Sequence, residues 1–146
     1  MNFKDVLKFY RERVIVLDDN EYGIELVAFN RNPTNWFWAN KTKKVLDICG
    51  YRDWKIPTIK ELESIVNQCS FEEISSMFEK KPSAKGFCGY CYDEELNLLW
   101  SSDVYEEDYD CWGCKVINVY NYEMKKRETT LSKYNLNVCY IRYADN

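Results

Sequence analysis

The chain contains no histidine. That absence excludes serine-type triads, Cys–His dyads and every metal site built on imidazole. Glycine is scarce, five residues in all, and they form no phosphate-binding loop. There are three prolines, and no linker, low-complexity tract or internal repeat divides the chain. No apolar run reaches the length that crosses a bilayer. Residues 1–13 mix Lys4, Asp5, Lys8, Arg11, Glu12 and Arg13 with Phe3, Val6, Leu7 and Tyr10, so they lack the apolar core of a secretory signal. The expected address is cytoplasmic without membrane association. A phage particle or a specialised export route is the alternative.

Aromatic residues, by contrast, are plentiful. They make up 16% of 146 residues, with Tyr and Trp spread along the whole length. One domain spanning 1–146 is expected at this size, and it can bury a sizeable core. Tyr and Trp serve either such a core or a binding surface. The net charge of −4 argues against nucleic acid as the main partner. Seven cysteines are many for a cytosolic chain, and an odd number cannot pair completely within one chain.

The best-marked element runs from Gly50 to Val66. Pro57 keeps Ile56 extended. Thr58 then caps a helix, and Glu61, three residues on, completes a capping box. Ile59, Leu62, Ile65, Val66 and Cys69 line its apolar face. Trp54 is placed to anchor this segment in the core.

Elsewhere, residues 3–13 are amphipathic at helical spacing. Val14–Leu17 and Ile24–Phe29 predict a hairpin with a turn at Asp18-Asp-Asn20 and Gly23 near the bend. Asn35 predicts a helix from Trp36 to Ile48, ended by Gly50, with Trp38 or Ala39, Thr42, Val45, Leu46 and Cys49 inward. Ser70 and Glu73 repeat the capping-box pattern before a short helix. An irregular loop is expected over 82–95. Strands follow at Leu96–Ser102, Lys115–Tyr122, Glu128–Leu131 and Asn137–Tyr143. The expected class is α+β, two or three short helices around an antiparallel sheet that the N-terminal hairpin shares with the C-terminal strands.

Three separated segments carry a resemblance. Gly50-Tyr-Arg-Asp-Trp-Lys-Ile-Pro-Thr-Ile-Lys-Glu-Leu62, Leu99-Trp-Ser-Ser102 and Cys139-Tyr-Ile-Arg-Tyr143 together resemble the Lcl C-terminal domain family, first named from a collagen-like adhesin. Lys55 replaces the usual Arg and Ile56 the usual Leu, and the insertions bearing Cys88 and Cys111 are departures. The resemblance implies a fold similar to C-type lectins and formylglycine-generating enzymes, with variable loops between the middle and C-terminal strands. It implies binding rather than catalysis, in modules that are mostly secreted or on the surface. The adhesin is trimeric and binds polyanionic sugars. Its trimeric state leaves homo-oligomerisation of this chain open, whereas that ligand class transfers poorly to an acidic chain.

Two constellations could carry chemistry. Cys88-Gly-Tyr-Cys91 and Cys111-Trp-Gly-Cys114 are CxxC pairs about twenty residues apart, which suits a structural Cys₄ zinc site. Ordinary buried or loop cysteines and a thiol redox role are the other readings, though the redox role wants a βα context that the pattern lacks. Asp93, Glu94, Glu95, Asp103, Glu106, Glu107, Asp108 and Asp110 form the second constellation, with no Lys or Arg among them. Their spacing does not match an EF-hand loop, so calcium is not expected. A solvated loop is one reading, and a docking face for a basic partner is another. For docking, Trp100, Tyr105, Glu106, Glu107, Tyr109 and Trp112 are the candidate binding residues. Lys41, Lys43, Lys44 and Lys125, Lys126, Arg127 are read as solvated faces.

The expected function is a non-enzymatic binding module, for a protein or a small ligand, working through residues 87–112. A structural subunit of a phage or defence assembly and a thiol redox protein are the alternatives.

Overall fold

Strands β1 (Val14–Val16) and β2 (Ile24–Phe29) form an antiparallel hairpin, with Val14 opposite Ala28 and Val16 opposite Leu26. The structure is a computed structural model that describes residues 14–30, 32–78, 82, 94–107, 111–120, 124–127 and 135–144. The hairpin bend is built by Asn20. Its side-chain oxygen accepts from the Tyr22 and Ile24 amides, and its amide donates to the Ile24 carbonyl. Gly23 supplies the positive φ of 69° that the bend requires.

Helix α1 (Trp36–Thr42) starts where expected, with Asn35 accepting from the Trp38 amide at 2.9 Å. It stops six residues earlier than the expected Ile48. The cause is its missing apolar face. Ala39 is the one buried residue of α1, whereas Trp38 is 61% and Val45 is 79% exposed. A helix this short draws its stability from packing, and nothing here favours lengthening it. The chain turns instead, and Cys49 (φ 56°) and Gly50 (φ 79°) close a tight bend between Ile48 and Tyr51.

Helix α2 (Ile59–Gln68) carries the full capping box. The Thr58 amide donates to Glu61 Oε1 at 3.0 Å and the Glu61 amide to Thr58 Oγ1 at 3.2 Å. Helix α3 (Phe71–Ser76) repeats the device with Ser70 and Glu73.

Three more strands follow, β3 (Leu98–Glu107), β4 (Cys111–Asn118) and β5 (Met124–Arg127), before the final β6 (Cys139–Tyr143). They do not all join the N-terminal hairpin. One sheet has the order β1-β2-β6 and a second the order β3-β4-β5, all neighbours antiparallel. The sheets touch through a short parallel bridge between Leu99 and Asn137. Residues 103–107 and 111–114, expected as loop, are instead paired strand. The fifth strand lies at 124–127. The expected helix at 3–13, most of the loop at 82–95 and the expected strand at 128–131 lie outside the described residues.

Both faces of the central strands are covered, which explains why Leu26-Val-Ala-Phe29 is a continuous apolar run. Leu26, Ala28, Trp100, Val116 and Tyr140 face a core shared with Trp54, Ile56 and Ala39. The alternate residues Val27, Phe29, Leu99, Ile117 and Ile141 face a second core closed by Leu62, Ile65, Val66 and Ile74 from α2 and α3. The period-2 alternation of a strand assigns each residue to its core. Trp54, Leu62 and Cys69 are core residues, as the sequence leads one to expect.

Candidate functional site

The three segments of the sequence signature converge in space. Arg142, from β6, is buried and lies 3.6 Å over the Tyr51 ring. Its guanidinium donates to Asp53 at 3.0 and 3.3 Å and pairs with Glu25 at 3.4 Å. Hydrogen bonding from Arg142 holds the Asp53 carboxyl below its usual range. Trp54 donates its indole N–H to the Tyr51 carbonyl. The backbone of Lys55 exchanges hydrogen bonds with Ile141 at 3.0 and 2.8 Å.

Glu61 is the second junction. It is 3% exposed, accepts from the Thr58 amide and from the Tyr143 hydroxyl, and lies 3.3 Å from Lys55 Nζ. Burial pushes its carboxyl up. The Thr58 amide, the Tyr143 hydroxyl and the Lys55 ammonium outweigh burial and leave it lowered. The middle segment ties in as well. Trp100 donates to the Thr34 carbonyl at 2.7 Å, the Ser102 amide to Pro57, and Asp103 accepts from the Ile59 amide at 2.7 Å, at the start of α2. Asp103 therefore serves a helix terminus rather than a free acidic surface. The signature is a set of joints between elements.

The candidate binding residues divide accordingly. Trp100 is wholly buried and belongs to the core. Tyr105, Glu106, Glu107 and Trp112 lie on the paired arm where β3 meets β4, Tyr105 opposite Gly113 and Glu106 opposite Trp112. Tyr109 lies outside the described residues, as do Cys88 and Cys91.

Of the cysteine pairs, Cys111 and Cys114 both lie on the extended backbone of β4. Cys114 is fully buried, and its thiol donates to the Ser101 carbonyl at 3.1 Å. Burial pushes this thiol up to about 11. Zinc binds thiolates, so a Cys₄ site that includes Cys114 requires this side chain to leave the core and lose its proton. Among the described residues no group of three or more His, Cys, Asp or Glu is placed to hold a metal ion. Among them also, no helix is long and apolar enough to cross a membrane.

One surface escaped the sequence reading. Phe37 and Trp38 are exposed on α1, and Lys41 lies 5.3 Å from the Trp38 ring. The signal was Trp36-Phe-Trp38, three large rings within one helical turn, which cannot all face one core.

The family model described as the Lcl C-terminal domain matches residues 19–138. No curated protein and no solved structure matches the chain.

Proposed function

Because the chain belongs to the Lcl C-terminal domain family, we propose that it is a non-enzymatic, adhesin-like binding module that presents the segment 87–112 to its ligand. The observation that carries this reading is the way the signature side chains are spent. Arg142 is paired with both Asp53 and Glu25, and Glu61 is engaged by Thr58, Lys55 and Tyr143. Those groups hold the scaffold, and the β3–β4 arm that it carries bears Tyr105, Glu106, Glu107 and Trp112. A C-type-lectin-like arrangement belongs to this reading. Its support is the antiparallel pairing of β2 with β6, which joins the two ends of the domain.

An acidic, aromatic arm suits a basic ligand. The test is binding of the full chain to an octalysine peptide, with and without added salt. Saturable binding that weakens with salt and is lost in the Glu106→Lys/Glu107→Lys double variant supports the arm as the binding surface. Binding that neither treatment alters assigns the ligand to another face.

A further inference from the structure

We propose that the groove between α1 and the middle of β3 binds a small organic carboxylate with an apolar ring. The groove has a volume of about 400 Å³, within the range of small-molecule sites. It goes beyond the arm reading and does not rest on it, since its charged and aromatic walls come from α1 and from Lys55.

One wall is apolar and fixed in place. Trp36 lines it with its indole N–H donated to the Ser101 carbonyl at 2.9 Å and its ring edge-on to Phe37. Ile56 and Val104, which pack on the core, complete that wall. A ring stacked there meets a surface that loses little freedom on binding. The other wall is polar, with Asn40, Ser102, Lys43 and Lys55.

The charges decide the ligand class. Lys55 is already paired with Glu61 at 3.3 Å. Lys43 has no carboxylate within ion-pair distance among the described residues. The groove therefore offers one uncompensated cation beside the apolar wall of Trp36, Ile56 and Val104. The lining residues include no arginine, so the groove offers a point charge rather than the bidentate fork that guanidinium presents to phosphate. A monoanion with a ring is the complement.

The experiment is an amide and indole NMR titration of the full chain with benzoate, cyclohexanecarboxylate, acetate and benzyl alcohol. Saturable shifts of the Trp36 indole and of the Ser102 and Val104 amides with either ring acid, and much weaker ones with acetate and benzyl alcohol, are expected. A preference for benzoate over cyclohexanecarboxylate identifies an aromatic ligand, and the reverse an aliphatic one. Lys43→Gln should weaken ring-acid binding about fivefold, as for one half-exposed charged contact, and leave benzyl alcohol unaffected. Val104→Phe, which fills the groove, should abolish both. Acetate matching the ring acids, or Lys43→Gln leaving their binding unchanged in a protein with an unaltered spectrum, overturns the proposal.

Discussion

Replacing Glu61 by alanine removes one half of a capping box and the acceptor of a buried hydrogen bond together. The lost reciprocal cap contributes about 1 kcal/mol. The one buried methylene that is lost, Cγ, adds about 0.8 kcal/mol. The ammonium of Lys55 and the hydroxyl of Tyr143 are the other losses, and charged hydrogen bonds reach about 1.5–3 kcal/mol. Both partners are partly exposed, Lys55 with 40% of its side chain in solvent, so water replaces much of what they lose. Relief of a buried charge offsets the remainder, and the sum is about 2 kcal/mol. Glu61→Gln keeps the methylenes and an oxygen for the Thr58 amide, and should cost about 1 kcal/mol.

Acid should erase the difference between wild type and Glu61→Gln. The Glu61 carboxyl is lowered in the folded protein. Its stabilisation is therefore complete above the unfolded value near 4.5 and is lost as pH falls through the folded value. Urea unfolding at neutral pH and at stepwise lower pH, for wild type, both variants and an exposed Lys60→Ala control, measures each quantity. Glu61→Ala falling within about 0.5 kcal/mol of the control, or a gap to Glu61→Gln that persists at the acid end, would refute the reasoning.

Arg142→Ala should cost about 3 kcal/mol, because it empties a buried site over Tyr51 and strips Glu25 and Asp53 of their partner. Asp53→Ala should cost less than half as much, since 61% of that side chain is already in water and Arg142 keeps Glu25; equal losses in urea unfolding would show that the stack over Tyr51 contributes little. Leu62→Ala, in the fully buried stripe of α2, should cost about 2–5 kcal/mol; a loss no greater than that of Lys60→Ala would place Leu62 outside the core. Cys69 and Cys114, both pushed up to about 11 mainly by burial, should resist alkylation at pH 8 in the folded protein and react once urea unfolds it. Rapid native labelling of Cys114, read by peptide mass, would show that its thiol reaches solvent, as a zinc or redox role demands.

The helices were legible where a cap and an apolar stripe agree. Thr58, Glu61 and the Ile59–Val66 stripe specify α2, and Ser70 with Glu73 specifies α3. Helix α1 had a cap and only half a stripe, so its start was readable and its end was not. The division into two sheets was hidden because strand partners are chosen by contacts between distant residues. The Trp100 amide bonded to Asn137, which stitches the sheets together, has no local signature. The CxxC spacing of Cys111 and Cys114 was legible as a pattern, but spacing alone is silent on backbone state. In β4 the segment is extended and paired with β3, and that pairing carries Cys114 into the core.

The same distinction separates family from ligand. Gly50-Tyr51 bends the chain, Asp53 meets Arg142, Pro57 meets Ser102, and Glu61 meets Tyr143. Each contact runs within the signature or from one of its segments to another, so a chain that matches the family announces how its elements are joined. A ligand in the groove meets Lys55, Ile56 and Ser102 of the signature, and also side chains that the signature does not include. Trp36, Asn40 and Lys43 in the groove, like Glu106 and Glu107 on the arm, lie outside all three segments. Substituting them leaves the joints between Arg142, Asp53, Glu61 and Tyr143 untouched. Two members of the family can therefore share this scaffold and bind unrelated molecules, and what distinguishes their ligands must be sought in the residues that the signature leaves unspecified.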